Sequence, residues 1–572
     1  MRPVGSVVLD PEKRAWRIEC EPHVMLRLKR VFAKVNRGSY STVDLADTTE
    51  NARELLWFLD RYPMTILPKG YLKDRAEQHI AKQAQIAEVL APTYVPRSFE
   101  LAIPPREYQR LAADVVLKTG VLLLADDVGL GKTVSSITMI SDPRARPALV
   151  VTLTHLPRQW KAELARFAPN LLVHILRSGK PYELERKRAC RGRTPDVIIT
   201  NYHKLAGWAE TLAGRVKSVT FDEAQELRHS DTARYGAAKH LAAKAAYVLG
   251  LTATPIYNYG GEIYNILSCL REDCLGTPEE FGREWTGGAI YDSTAKVIVK
   301  DPRSLGAYLR TSGLMLRRTR AEVGREIPPI QTVVHEIDAD PDALDKVAGN
   351  AAELARIILD QGGQKGFVKM QASEQLSYLL RQATGIAKAP YVADFVRLLV
   401  ESGEQVVLYG WHREVYALWR ERLADLKPAM YTGSETTSQK EAAKAAFLSG
   451  EARVLLISLR AGAGLDGLQR KCRIVVFGEL DWSPGVLEQC IGRVARDGQE
   501  GQVLAYYLVA DSGSDPVVSD VLGLKSSQSH AIRDPDAKLI EAQTVDPDRV
   551  KRLAQAYLEQ ISKASGMEVD RS

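Results

Sequence analysis

The stretch Val121-Leu-Leu-Leu-Ala-Asp-Asp-Val-Gly-Leu-Gly-Lys-Thr133 decides the fold. Its apolar run, Val121 to Ala125, has the length and composition of a buried strand, and a glycine-spaced loop follows it directly, opening a helix. Phosphate chemistry requires these residue types at this spacing. Gly129 and Gly131 let backbone N–H groups close around phosphate oxygens, Lys132 reaches the β and γ groups, and the Thr133 hydroxyl ligates Mg2+. Asp126 and Leu130 complete the loop. Strand, phosphate loop and helix in that order predict an α/β lobe that holds ATP and Mg2+.

A second block strengthens this expectation. Val219-Thr-Phe-Asp-Glu-Ala-Gln225 ends a strand-like segment, Val216 to Phe221, in two adjacent carboxylates. Hydrolysis needs both: Asp222 to hold the cation and Glu223 to orient and deprotonate the attacking water. Solvated surface acids are the plain alternative, and the apolar lead-in argues against it. A third block, Glu488 to Gln499, contains Gln489 and sets Arg493 and Arg496 three apart, which predicts one face of a helix.

Together these blocks resemble helicase-like superfamily 2, in which two RecA-like lobes face each other and the second supplies arginine fingers to ATP held by the first. The resemblance implies catalytic roles for Asp222, Glu223, Gln489, Arg493 and Arg496. Lesser motifs narrow it to the Swi/Snf-type double-stranded-DNA translocases. Arg106-Glu-Tyr-Gln109 is similar to the adenine-reading motif, with Gln109 the reader, and Leu149 to Glu163, with Pro157, Gln159 and Trp160, to motif Ia. Asp196 to Tyr202 resembles motif Ib and Leu251 to Asn258 motif III. Leu316 to Pro329, with its Leu-Arg-Arg-Thr-Arg opening, resembles a segment that other branches lack. The likeness runs from Pro105 to about Val509. It implies DNA contacts at Thr154, Tyr202, Arg317, Arg318, Arg460 and Trp482, and coupling roles for Thr252, Thr254 and Gly464. Two positions depart from the pattern. Gln225 replaces the usual His, and motif V (Ser458 to Gln469) is about a residue short and carries Asp466 where Asn is usual.

Composition fits a large cytoplasmic ATPase, of a prokaryotic cytoplasm or nucleoid or of a phage-infected cell. The chain has 572 residues, 45% hydrophobic and 26% charged, enough for several cores. It has no apolar run long enough for a bilayer and no signal-peptide core after Met1, so no membrane partner is expected. The six cysteines form no Cys-x-x-Cys pair and read as reduced packing residues. A net charge of +6 is mildly basic and compatible with nucleic acid.

The predicted fold class is α/β, with two RecA-like lobes built on parallel sheets, helical insertions between them and a small α+β N-terminal domain. The expected boundaries are 1–98 for the accessory domain, 99–260 for lobe 1, 261–395 for the insertions and linker, 396–512 for lobe 2 and 513–572 for a C-terminal helical brace. Residues 1–98 carry 16 lysines and arginines against 12 acids. They open with a β-hairpin pattern across Ser6 to Cys20, followed by an amphipathic helix, Val24 to Val35, with Leu26, Val31 and Val35 expected on its buried face and Arg27, Lys29, Arg30 and Lys34 mostly on the others. This order resembles the HARP-type domains of fork-remodelling relatives; a protein-docking domain or a stabilising cap is the rival reading. Trp411 and Trp419 read as core, and Asp511 to Asp515 as a linker. The partner implied is double-stranded DNA, forked DNA included, with a protein partner open and a monomer expected. The alternatives are a strand-separating helicase and a scaffold that clamps DNA without cycling. The biological task stays open.

Overall fold

The run Val121–Leu124 forms strand β5 with every side chain buried, and parallel neighbours flank it on both sides. In the computed structural model the described residues are 2–519, 522 and 553–559, apart from 37, 39–40, 69, 128, 188–189, 191, 253–260, 273, 287–298, 321, 325–329, 360–365 and 460–464. They fall into two compact units that divide between Thr319 and Arg320.

The first unit is built on a seven-stranded parallel sheet. Its strands are β5, β6 (Ala148–Thr152), β7 (Val173–Ile175), β8 (Val197–Asn201), β9 (Ser218–Asp222), β10 (Tyr247–Leu251) and β11 (Met315–Leu316), in the order β11-β5-β10-β9-β6-β8-β7. Alternating side chains serve two separate cores. Val121 and Leu123 join the cluster around Trp208 and Phe221, while Leu122 and Leu124 join the one around Trp160 and Val116. A sheet buried on both faces has to be apolar throughout, which is why these strands read as unbroken hydrophobic runs.

The accessory module has its own sheet, β3-β2-β1-β4, from β1 (Gly5–Asp10), β2 (Ala15–Cys20), β3 (Thr42–Ala46) and β4 (Thr65–Leu67). The expected hairpin is β1 and β2, and the Asp10 carboxylate fixes its turn by accepting the N–H groups of Glu12 and Lys13 at 3.1 Å. The helix that follows, Pro22–Val31, presents a different face from the one predicted. Val24, Met25 and Leu28 are buried, and Leu26 and Val31 are exposed. Phe32 and Val35, just beyond the helix, close the same core and set its rotation. Lys34 is also not a surface charge. Its ammonium lies 3.1 Å from Glu50 and 3.6 Å from Glu284, which joins the module to the segment after β10. Burial opposes that charge, but the two carboxylates outweigh it and hold the Lys34 pKa above its ordinary value. The Tyr308 hydroxyl donates to Glu50 at 3.0 Å, and Arg283 donates to the Lys34 carbonyl at 2.5 Å.

The second unit has a six-stranded parallel sheet, in the order β12-β17-β16-β13-β15-β14. Its strands are β12 (Ile330–Ile337), β13 (Val406–Gly410), β14 (Ala429–Tyr431), β15 (Val454–Ser458), β16 (Ile474–Phe477) and β17 (Val503–Ala510). The span 261–395, read from sequence as insertions and linker, therefore contributes one strand to each large sheet, β11 and β12. It also contains the expected helical stretches, in Pro341–Leu359 and Gly366–Glu401. Periodicity marked the helices, but β11 is two residues long and β12 is mostly exposed, so neither carries a buried-strand pattern. Trp419 is fully buried, and its ring fills the space where a Cβ on Gly410 would sit, 2.6 Å away. The predicted linker proves to be anchored. The Lys388 ammonium, buried in the long helix, donates to Asp515 at 2.5 Å and to the Leu508 carbonyl at 2.7 Å. Ser514 is buried with it, so polarity here reflects a satisfied interior clasp. No helix among the described residues is long and apolar enough to cross a membrane.

The docking of the module on lobe 1 yields a test. Glu50→Ala removes one of two carboxylates from the largely buried Lys34 and the acceptor of Tyr308. Unfolding stability is expected to fall by about 2 kcal/mol, below the range for a fully buried pair because Glu50 is part-exposed. Chemical denaturation of the two proteins side by side measures it.

Candidate nucleotide site

The phosphate loop leaves the C-terminal end of β5, and Asp222 ends β9, two strands along, with β10 between them. In a parallel sheet both then emerge at the same edge, where such folds bind ligands. The helix Lys132–Ser141 begins at Gly131, whose φ of +73° is left-handed, and a Cβ there would come 2.7 Å from Gln109 Nε2. The left-handed backbone favours glycine at this position, and any larger residue would also have to displace the Gln109 amide. The helix's first turn directs free N–H groups into the loop. A buried hydroxyl pair, Ser136 and Thr220 at 2.9 Å, fastens this helix to β9.

Both ends of the loop are gripped by other elements. Asp126, 1% exposed, accepts from Arg318 Nη2 at 2.6 Å, from its Nε at 3.0 Å and from its backbone N–H at 3.0 Å. Arg318 also donates to the Tyr108 carbonyl and lies over the Tyr108 ring. Arg317 pairs with Asp127 at 2.7 Å and donates to the Ala125 carbonyl at 3.0 Å. At the far end the Leu130 carbonyl accepts from the Tyr108 hydroxyl at 3.0 Å and from Gln109 Nε2 at 3.1 Å. Gln109 Oε1 caps its own helix by accepting the Arg106 N–H at 3.0 Å. The side chain predicted to read adenine thus braces the loop.

Lys132 donates to the carbonyls of Asp126 and Asp127, at 2.7 and 3.2 Å, two oxygens standing where phosphate oxygens would be grasped. Burial pushes its pKa down to about 8, against the pull of Asp126, Glu223 and Asp127. Asp222 moves the other way, up to about 6, through burial and then through Glu223, opposed by hydrogen bonds from Trp160 Nε1 at 2.7 Å and Thr152 Oγ1 at 3.1 Å. Both bonds go to Oδ2, and no described residue donates to Oδ1. With the Thr133 hydroxyl, that oxygen makes a hard-oxygen donor set suited to Mg2+, which binds through few protein ligands and relies on phosphate for the rest. Glu223 adopts φ 54° and ψ 56°, an uncommon backbone for a non-glycine residue. Gln225 Nε2 donates to Glu223 Oε2 at 2.6 Å, so the residue that replaces the usual His holds the carboxylate.

Several predicted DNA contacts are placed otherwise. Arg318 is committed to the buried Asp126, whose counter-charge it is, and Arg317 pairs with the part-exposed Asp127. Tyr202 is 3% exposed, its hydroxyl donating to the Asp222 carbonyl at 2.9 Å. Trp482 is 9% exposed, its indole N–H donating to Ser377 at 3.2 Å. Thr154 is exposed, and Thr252, the first motif III threonine, is buried. Thr254, Arg460 and Gly464 lie outside the described residues.

In the second unit Gln489 sits in the helix Pro484–Ile491, which ends before the arginines. Arg493 and Arg496 lie in the turns beyond it, on either side of the fully buried Val494 and Ala495. Arg496 pairs with Asp466 at 2.8 Å. The Asp that replaces the usual Asn thus faces an arginine of the third block.

Sequence comparison assigns the class. The SNF2-related domain matches residues 50–382 and the Helicase conserved C-terminal domain residues 388–498. The chain belongs to the SNF2-related family. Among its relatives is the SWI/SNF-related matrix-associated actin-dependent regulator of chromatin subfamily A-like protein 1 of Xenopus tropicalis, 26% identical across 70% of this chain and 42% of that one. Another is the uncharacterized ATP-dependent helicase YqhH of Bacillus subtilis, 25% identical across 73% of this chain and 76% of that one. A third is the mouse DNA annealing helicase and endonuclease ZRANB3, 24% identical across 72% and 39%. The chain spans half or less of the length of the vertebrate relatives named regulator of chromatin. The solved SWI2/SNF2 ATPase core of Sulfolobus solfataricus in complex with dsDNA is 19% identical, covers 83% of this chain and 100% of its own, and has a TM-score of 0.36.

Two outcomes follow from the site. Arg318→Met strands the Asp126 carboxylate, so lobe stability is expected to drop by about 3–5 kcal/mol with loss of ATP affinity; adding Asp126→Asn restores part of the stability. Separately, phosphate favours the charged form of Lys132. Above pH about 8, where the free side chain is neutral, ATP binding is expected to take up a proton. Calorimetry in buffers of different ionisation enthalpy reads that uptake, and Lys132→Met is expected to abolish it.

Proposed function

We propose that this chain is an ATP-dependent double-stranded-DNA translocase that remodels DNA or protein–DNA complexes without processive strand separation. The observation that carries the reading is the placement of the phosphate loop and the Asp222–Glu223 pair at one edge of one sheet, joined through Ser136 and Thr220. Membership of the SNF2-related family adds support, as do relatives named regulators of chromatin and a DNA annealing helicase.

In this reading Lys132 and the N–H groups of the first helical turn hold the β and γ phosphates. Mg2+, held by Thr133 and Asp222, would neutralise the charge developing on the phosphate oxygens. Glu223, steadied by Gln225, orients the attacking water and receives its proton. Arg493 and Arg496 stabilise the charge that spreads onto the transferred group, an effect worth on the order of a thousandfold. Duplex DNA is tracked through its phosphates, with little regard to sequence. The module 1–98 reads DNA structure such as forks. Arg27 and Arg30, exposed on the helix Pro22–Val31, are the contact surface in this reading, and Lys34 is not.

Lys132→Ala is expected to lose hydrolysis through lost binding, whereas Glu223→Gln keeps ATP binding and loses turnover. Near-normal steady-state ATPase in either variant contradicts the assignment. Duplex DNA is expected to raise the ATPase rate, with stimulation falling steeply as salt rises. A triplex-forming third strand is expected to be displaced while a long duplex stays paired; unwinding without triplex displacement favours the strand-separating helicase. Replacing Arg27 and Arg30 by Gln is expected to weaken fork preference alone.

A further inference from the structure

Where the accessory module meets lobe 1, a cavity of about 220 Å³ opens between the helix Tyr71–Val89 on one side and the segments at 271–275 and 308–314 on the other. It lies apart from the phosphate loop and shares no residue with it. Arg75, His79 and Lys82 recur on one face of that helix at spacings of four and three, and all three line the cavity, with Arg14 and Arg271 also contributing.

Its two lining acids are already engaged. Glu272 pairs with Arg14 at 3.3 Å and with Lys239 at 3.1 Å, and Glu50 serves Lys34 and Tyr308. Arg75 is partly satisfied by Asp47, donating to its carbonyl at 2.6 Å. Arg271, exposed at the edge of the cavity, donates to the Thr119 carbonyl at 3.2 Å and pairs with no acid among the described residues. Lys82 is the telling group. Among the described residues its ammonium has neither a hydrogen bond nor an ion pair, although the residue is part-buried, and burial together with Arg271 pushes its pKa down to about 8. A lysine kept only for packing would cover apolar surface and send its charge to water. Lys82 lines the same cavity as Arg271, close enough to feel its charge, and no acid among the described residues pairs with either.

We propose that this cavity is a phosphate-binding site, in which Lys82 from the module and Arg271 from lobe 1 hold one phosphate group between them. A dianion supplies what both cations lack, and arginine and lysine are the side chains that bind phosphate through charge-assisted hydrogen bonds. The volume is below the ~300–1,000 Å³ of sites for drug-sized ligands, which suits a single phosphate group. That group comes either from inorganic phosphate or a small phosphate ester, or from nucleic acid. Because its ligands come from both sides of the seam, occupancy also strengthens the docking of the module on the motor. The inference does not rest on the translocase reading.

The test uses the full chain in a Lys132→Ala background, which removes the phosphate loop as a competing site. Thermal unfolding is followed as inorganic phosphate replaces chloride at constant ionic strength. A saturable rise in Tm is expected, and Lys82→Met and Arg271→Gln are each expected to weaken the apparent affinity by about tenfold or more. In chloride alone, Lys82→Met is expected to keep or raise the Tm, since it deletes a part-buried charge without a partner. A Lys82→Met protein that is destabilised in chloride yet retains the full phosphate response overturns the proposal, as does the lack of any saturable response. Duplex oligonucleotides with and without a 5′-phosphate then compete against inorganic phosphate. Displacement that depends on Lys82 identifies nucleic acid as the source; its failure identifies a free phosphate or small ester. In wild-type Lys132 protein, Lys82→Met is expected to leave basal ATPase unchanged, so this test and that of the nucleotide site fail separately.

Discussion

The buried ion pair between Asp126 and Arg318 is the constraint on which the first unit turns. An aspartate that is 1% exposed cannot keep its charge without a partner, and the chain supplies one 192 residues later. To bring Arg318 there, Met315 and Leu316 pair with β5 and extend the sheet by a strand. A buried pair of this kind adds little net stability over a hydrophobic replacement. Here it selects one path for the loop. With Tyr108 and Gln109 holding Leu130, the loop is fixed at both ends before a ligand arrives, so less ordering remains to oppose binding.

The acids at β9 are arranged by a second set of polar contacts. Trp160, Thr152 and Tyr202 converge on Asp222 from three different elements, and each is largely buried. The hydrogen bonds from Trp160 and Thr152 favour the ionised carboxylate while burial and Glu223 oppose it, and Tyr202 holds the backbone carbonyl of the same residue. The raised pKa is the balance of these effects. Glu223 follows in an unusual backbone conformation, of the kind that persists only where its surroundings impose it. Local strain and a perturbed titration thus coincide at the point where chemistry is assigned.

How much of this was legible in the sequence depended on the range of the interaction. The phosphate loop, the adjacent acids and the hairpin of the module are local patterns of a few residues, and they appear where the chain announced them. The second sheet's first strand was not legible, because β12 is mostly exposed and carries no buried-strand period. The face of the helix Pro22–Val31 was misread at Leu26 and Val31, which are exposed, while Val35 beyond it joins the core as expected. Arg317, Arg318, Tyr202 and Trp482 were recognised as notable residues, but their partners lie tens to hundreds of positions away. No spacing rule discloses a side chain's target at that separation. The ion pair of Asp466 with Arg496 was likewise hidden, although each residue had been marked separately.

The contact between Trp160 and Asp222 has an optical consequence. An indole N–H held 2.7 Å from a carboxylate oxygen, inside a ring environment that is 2% exposed, experiences the full field of that carboxylate with little screening by water. Indole emission shifts with the local field because its excited state has a larger dipole than its ground state. Capture of a proton or a cation by Asp222 therefore changes the colour of Trp160. The protein carries at its nucleotide site an intrinsic fluorophore that needs no label, read against a background of seven other tryptophans.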